Sequence, residues 1–197
     1  MANASVALAT ARTFLNDDNA ELWSDAILIP KLQEAHRELQ AKLWREDSPA
    51  IREESTAITV AIGIKTLGAS LPADLITPIS LMETTVAGSA WIDMTEVQYI
   101  DATIAATATL IYWCWREGVI SFLGSTAARD VKVLYRKLIT LPTVAGSAIG
   151  ITFGELYIAA RTAAFAAGSV GNKDSYDALT QMANNNLGDI IAINRGR

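Results

Sequence analysis

The sequence contains very few of the side chains on which catalytic and metal sites usually depend. Its 197 residues include one cysteine, Cys114, and one histidine, His36. A single cysteine excludes an internal disulfide and a cysteine-based zinc site, and we expect Cys114 to be a small buried hydrophobe. His36 has no placed partner, so we expect it at the surface or boundary of a helix. Because phosphate-binding and calcium-binding loops are missing too, we expect no enzyme activity, no metal and no cofactor.

Excess charge and long apolar runs are also scarce. The sequence contains 16 lysines and arginines and 21 aspartates and glutamates. The resulting net charge of −5 argues against a general nucleic-acid-binding surface. The apolar run from Ile104 to Trp115 is too short to span a membrane. The first residues lack the basic segment and apolar core of a signal peptide. We therefore expect a protein without a membrane partner, used in a cytoplasm or built into something assembled there.

Apolar residues at helical spacing mark the first part of the chain. They predict one helix over Ser5–Leu15 and a second helix, after Ser24 or Asp25, with an apolar stripe from Leu28 to Leu43. Pro30 lies inside that stripe, where we expect a kink or a broken first turn.

The last part of the chain is also predicted to be helical. Thr152 and Glu155 match a capping box that would open an alanine-rich helix, and a final helix follows Asp174 or Ser175. Neither pair of helices can hide its apolar face alone, so we expect residues 1–49 and 152–193 to pack as one bundle.

Residues 56–140, between the helical parts, have the composition of β-structure. Alternation from Ile58 to Ile64 predicts a strand with one buried face. Farther along the chain, Pro78 argues against a central strand in the segment that contains it. The predicted fold class is therefore α+β but mainly α. It is one domain, a helical bundle with a β-rich insertion, and residues 194–197 form a C-terminal tail.

The insertion has its most specific surface between Thr109 and Ile139. Aromatic and β-branched residues alternate up to Trp115, and the pattern resumes at Val119, which predicts a hairpin with Gly118 at positive φ. Residues 131–139 read as a third strand of the same unit.

Both faces of the predicted hairpin carry aromatic side chains. One face can pack on the helices, and the other can meet another subunit, where Trp, Tyr and Arg are favoured anchors. Both interpretations stay open. The candidate residues for a subunit or tail interface are Tyr112, Trp113, Trp115, Arg116, Phe122, Tyr135 and Arg136.

Several stretches together resemble the head-to-tail adaptor, or connector, proteins of tailed bacteriophages. They are Ala11–Asp17 with Trp23–Leu28 and Leu32–Leu39, then Leu71–Ile79, and finally Tyr112–Gly124 followed by Val131–Lys137. The last of these, with Tyr112-Trp113-Cys114-Trp115-Arg116-Glu117-Gly118 at its start, is the most specific. The likeness covers most of the chain.

The resemblance implies a structural role in the virion. Proteins of this family form a ring, commonly of twelve copies, that joins the portal to tail or nozzle proteins in the neck. The ring leaves a channel for double-stranded DNA, which passes at ejection without sequence-specific binding. Assembly would take place in the host cytoplasm. A C-terminal extension reaches towards the portal, and here the candidate portal contacts are Ile193, Asn194, Arg195 and Arg197.

Two alternatives belong beside this hypothesis. The chain could be another neck or tail-completion ring protein, which the sequence does not separate from an adaptor. It could also be a non-viral module that binds a sugar or peptide through the aromatic hairpin.

Overall fold

The computed structural model describes residues 3–101 and 103–195, which form four α-helices, one short 3₁₀ turn and nine β-strands. They belong to two compact units. The helical unit consists of Met1–Ile51 and Ile139–Arg197, and the β unit consists of Arg52–Leu138.

The helical unit is organised around one central helix. Its elements are α1 (Ala4–Phe14), α2 (Asp25–Arg45), the 3₁₀ turn (Pro49–Ile51), α3 (Glu155–Ser169) and α4 (Lys173–Arg195). Helices α1, α2 and α4 all pack against α3. The buried face of α3 is largely alanine, which lets the other helices approach closely, and buried leucines of α2 such as Leu32 and Leu39 fill the core. Each buried leucine contributes about 1.5–3 kcal/mol.

The predicted capping box at Thr152 is wrong. Helix α3 begins only at Glu155, its N-cap is Gly154, and no side chain caps it. Phe153 has a φ of 63°, a left-handed conformation that a helix cannot contain, so Thr152 cannot stand directly before the first turn. Helix α4 has the cap instead, because the side chain of Asn172 accepts a hydrogen bond from the backbone N–H of Ser175 at 3.1 Å.

The β unit contains two sheets that share a core. The strands are β1 (Arg52–Glu54), β2 (Ile58–Val60), β3 (Thr66–Leu67), β4 (Leu75–Thr85), β5 (Ile92–Asp93), β6 (Thr95–Glu96), β7 (Tyr112–Arg116), β8 (Val119–Phe122) and β9 (Arg129–Lys137). One sheet has the order β1-β9-β4-β5, with β2 also paired to β9, and the other has the order β3-β8-β7-β6. All pairs are antiparallel except β6 with β7. Leu81 and Val133 of the first sheet lie in one apolar cluster with Trp113 and Phe122 of the second.

The prediction of a mainly α protein is therefore wrong. The fold is α+β with substantial sheet, because the nine strands described form a unit with an apolar core of its own. The alternating patterns in the sequence were short, and their number and pairing depend on contacts between distant residues.

Three strand predictions also differ from the structure. Residues 131–139 are not a third strand beside the hairpin, because β9 belongs to the other sheet, where it pairs along β4. Pro78 does lie in a central strand. It is tolerated because the register shifts next to it and β5 pairs only with Met82 and Glu83 farther along β4. The strand predicted from Ile58 ends at Val60, since the chain turns at Gly63, whose φ is 73°.

Candidate functional site

The predicted hairpin is formed by β7 and β8. Trp113 lies opposite Phe122, and the strands are joined by Glu117 and Gly118, whose φ values are 51° and 79°. Two successive residues at positive φ are typical of the tight turn that matches the twist of a hairpin. The prediction of positive φ at Gly118 is confirmed.

The structure separates the seven candidate interface residues into two groups. Trp113, Phe122 and Tyr135 are buried in the core of the β unit, where the exposed fraction of Trp113 is 1%. Tyr112, in contrast, is 41% exposed, and Arg116 is also exposed. Trp115 and Arg136 are half-buried. Of the seven candidates, only Tyr112, Trp115, Arg116 and Arg136 therefore have side-chain surface that is accessible to a partner.

Tyr135 keeps its one polar atom bonded inside the β unit. Its hydroxyl donates a hydrogen bond to Asp74 Oδ1 at 3.1 Å. Burial, followed by the bond to the Asp74 carboxylate, raises the pKa of Tyr135 to about 12. The phenol therefore stays neutral at physiological pH and acts as a structural side chain.

A buried ion pair fixes the approach to the hairpin. Glu83 Oε2 accepts hydrogen bonds from Arg129 Nε at 3.0 Å and from the backbone N–H of Leu110 at 2.8 Å. The side chains of Glu83 and Arg129 are 3% and 9% exposed. The pair links β4 to the residues that lead into β7, so it positions the aromatic strand. Sequence reasoning missed it because Glu83 and Arg129 are 46 residues apart.

The candidate portal contacts lie at the end of α4. Ile193 is 41% exposed. Asn194 is buried, and its side-chain amide donates a hydrogen bond to the carbonyl oxygen of Ile190 at 2.7 Å. Arg195 is the last residue of the helix, and Arg197 lies outside the described residues. Residues 194 and 195 therefore continue the helix and do not begin a separate tail.

A polar network joins three helices of the helical unit. Glu38 on α2 accepts hydrogen bonds from Arg161 on α3 at 2.6 Å and from Lys42 at 2.8 Å, and Lys42 also donates to Asn184 on α4 at 3.2 Å. Burial acts to raise the pKa of Glu38, but the bonds from Lys42 and Arg161 lower it below its ordinary value. The carboxylate is thus held in its charged form.

His36 lies in the core and not at the surface or boundary where it was predicted. Its exposed fraction is 0%, and its Nε2 lies 2.8 Å from the carbonyl oxygen of Ile149. Its Nδ1 has no hydrogen-bond partner within residues 3–101 and 103–195. Burial lowers the pKa of His36, so the ring is neutral in the folded protein. The position follows from spacing, because His36 adjoins the buried stripe of α2.

Cys114 is buried, as predicted. The described residues contain no group of three or more His, Cys, Asp or Glu side chains that could hold a metal ion. None of the helices in the described part of the chain is long and apolar enough to cross a membrane.

The model of a family described as SU10 adaptor protein matches residues 2–197, nearly the whole chain. No curated protein matches the sequence significantly.

Proposed function

The chain belongs to the SU10 adaptor protein family, a family of phage head-to-tail adaptors, and we propose that it forms a ring in the neck of the virion, between portal and tail. Membership identifies it as a structural protein of a phage particle. The observation that carries the proposal is the family match over residues 2–197. In the proposed ring, twelve copies of the chain surround a channel for DNA.

The helical unit is suited to be the body of the ring. Four helices pack around an alanine-rich centre, and the network of Glu38, Lys42, Arg161 and Asn184 ties three of them together. A rigid unit of this kind can present fixed faces to two neighbours, which a closed ring requires.

The exposed side of the hairpin is the proposed contact with a neighbouring subunit or a tail component. Tyr112 and Arg116 are exposed there, and Trp115, on the opposite face with Trp113, is half-buried at the edge of the core. Tyr, Trp and Arg are the residue types that most often anchor interfaces. The buried Trp113, Phe122 and Tyr135 support this surface from within.

The end of α4 is the proposed contact with the portal. Ile193 offers an exposed apolar side chain, and Arg195 and Arg197 add two positive charges to the last three residues of the sequence. The net charge of −5 suits a channel through which DNA slides, because tight binding would need cations that neutralise many phosphates.

Electron microscopy of the purified protein tests the ring. We expect rings with a central hole of about 20 Å or more, the width that duplex DNA needs given the dimensions of its grooves. Protein that stays monomeric at high concentration, both alone and mixed with its portal, would refute the proposal.

A pull-down with the portal tests the C-terminal contact separately. Removal of residues 193–197 is expected to abolish portal binding while rings still form. The matched pair of point variants is Ile193→Asp and Val170→Asp, because both side chains are exposed apolar residues of the helical unit. Only Ile193→Asp is expected to weaken portal binding, and equal binding by both variants would exclude this end of α4 from the contact.

A further inference from the structure

The outer face of α2 carries a shallow groove with an unusual combination of side chains. It has a volume of about 390 Å³ and is lined by Arg37, Gln40, Ala41, Trp44 and Arg45. These positions are three or four residues apart, so they form one face of the helix. Arg37, Ala41 and Arg45 are exposed, and Trp44 is half-buried. The groove therefore combines one indole with two guanidinium groups.

The two arginines differ from three other cations of the helical unit. Arg12, Lys42 and Arg161 each pair with an acidic side chain. Neither Arg37 nor Arg45 forms an ion pair or a side-chain hydrogen bond with any residue that the structure describes. Arginine and tryptophan are enriched at the centres of protein interfaces. Because the two guanidinium groups are unpaired, a partner surface with acidic side chains would complement them.

A surface with the matching chemistry lies on α4 of the same unit. Met182 is 39% exposed, and Gln181, Asn185 and Asp189 are exposed on the same face. Asp189 has no ion pair within the described residues. Two other acidic side chains of the helical unit are paired within the chain, since Asp25 pairs with Arg12 and Asp177 pairs with Lys173.

The spacing of the two faces also agrees. Trp44 follows Arg37 by seven residues, and Asp189 follows Met182 by seven residues. Seven residues of α-helix span two turns, or about 10.5 Å. If the helices run antiparallel, Met182 meets Trp44 while Asp189 meets Arg37. A thioether beside an aromatic ring is a favourable contact.

We propose that the α2 groove of one copy binds the exposed face of α4 from the next copy, antiparallel, with Met182 on Trp44 and Asp189 beside Arg37. The proposal rests on the ring proposed above and names the surfaces that join its subunits. The two faces are different, so each copy can bind one neighbour through α2 and another through α4, which is the head-to-tail arrangement that closes into a ring.

The remaining positions fit the same register. Arg45 falls opposite Gln181, whose amide nitrogen donates to Asn185 at 3.1 Å and leaves its carbonyl oxygen to accept from a guanidinium group. Ala41 falls opposite Asn185, where a small side chain leaves room for the amide.

A charge exchange tests this pairing. Arg37→Glu and Asp189→Arg, each alone, are expected to weaken assembly about tenfold or more, because each sets like charges against one another. The chain with both substitutions is expected to assemble like the wild type. Lys31→Glu is the control, since it makes the same charge change on α2 outside the groove. Sedimentation velocity measures assembly, and circular dichroism verifies that each variant is folded.

The outcomes separate this inference from the proposed function. Wild-type protein that never assembles, even with its portal, refutes the ring and this contact with it. If the wild type assembles and both single variants assemble equally well, only the α2–α4 contact is refuted. Single variants that fail and are not rescued by their combination refute the pairing of Arg37 with Asp189. Loss of portal or tail binding by Arg37→Glu, with assembly intact, would assign the groove to another virion protein.

Discussion

Replacement of Glu83 should destabilise the β unit more than almost any other polar substitution. The carboxylate is 3% exposed and is bonded to both Arg129 and the N–H of Leu110. Glu83→Leu leaves the guanidinium group of Arg129 buried without its partner, at a cost of about 3–5 kcal/mol. A typical domain has only about 5–15 kcal/mol of stability, so the variant should be close to unfolding.

The assay is hydrogen exchange at Leu110 together with denaturant unfolding. The Leu110 amide should lose its protection in Glu83→Leu, and the unfolding midpoint should fall. Arg129→Met should cost a similar free energy, because it leaves Glu83 unpaired. The double variant should regain most of the loss, since removing both charges also removes the burial penalty. The reasoning would be refuted if the free energy of unfolding of each single variant were within about 1 kcal/mol of the wild-type value.

Two further predictions concern His36 and Gly118. Burial lowers the pKa of His36, so the unfolded state binds a proton more readily, and the stability of the helical unit should fall as pH drops below about 6.5, the ordinary histidine value. Denaturation between pH 7.5 and 5.5 measures this, and His36→Gln should flatten the profile. Gly118→Ala should destabilise the hairpin by about 1–2 kcal/mol, because a φ of 79° is strained for alanine.

The controls for these two predictions are available in the same chain. A pH profile that is equally steep in His36→Gln would assign the acid sensitivity to other groups. Gly146 has open space around it, as Gly118 has, but does not lie at positive φ, so Gly146→Ala should be nearly neutral. Equal losses in both glycine variants would show that backbone conformation is not the cause.

The helices could be predicted because their signal is local. Apolar residues recur at helical spacing, and the prediction of Ser5–Leu15 agrees with α1 at Ala4–Phe14 to within one residue. Helix α2 continues through Pro30 because the buried stripe from Leu28 to Leu43 stabilises it on both sides of the proline. Burial of that stripe outweighs the loss of one backbone hydrogen bond.

The sheets could be predicted only in part because strand pairing is not local. The hairpin of β7 and β8 was found, since a tight turn joins its strands. The position of β9 was missed, because its main partner, β4, precedes it by more than 40 residues. An alternating pattern identifies a strand and its two faces, but it does not identify the neighbouring strand.

The same limit applies to the candidate interface. Alternation placed Tyr112 and Trp113 on opposite faces, which the structure confirms, but it did not tell which face is covered. The first sheet of the β unit covers Trp113, and its strands β4 and β9 lie far from each other along the chain. The groove on α2 was missed for a related reason. Arg37 and Arg45 resemble ordinary surface charges until the partners of the neighbouring cations are known.

Burial also decides how substitutions in the hairpin should be interpreted. Truncation of the buried Trp113 removes core packing at a cost of about 3–5 kcal/mol, so any loss of assembly would follow from loss of the fold. Tyr112 and Arg116 are exposed and contribute little to that core. The interface hypothesis for the hairpin therefore depends on the exposed residues alone, although the aromatic pattern that suggested it belongs largely to the core.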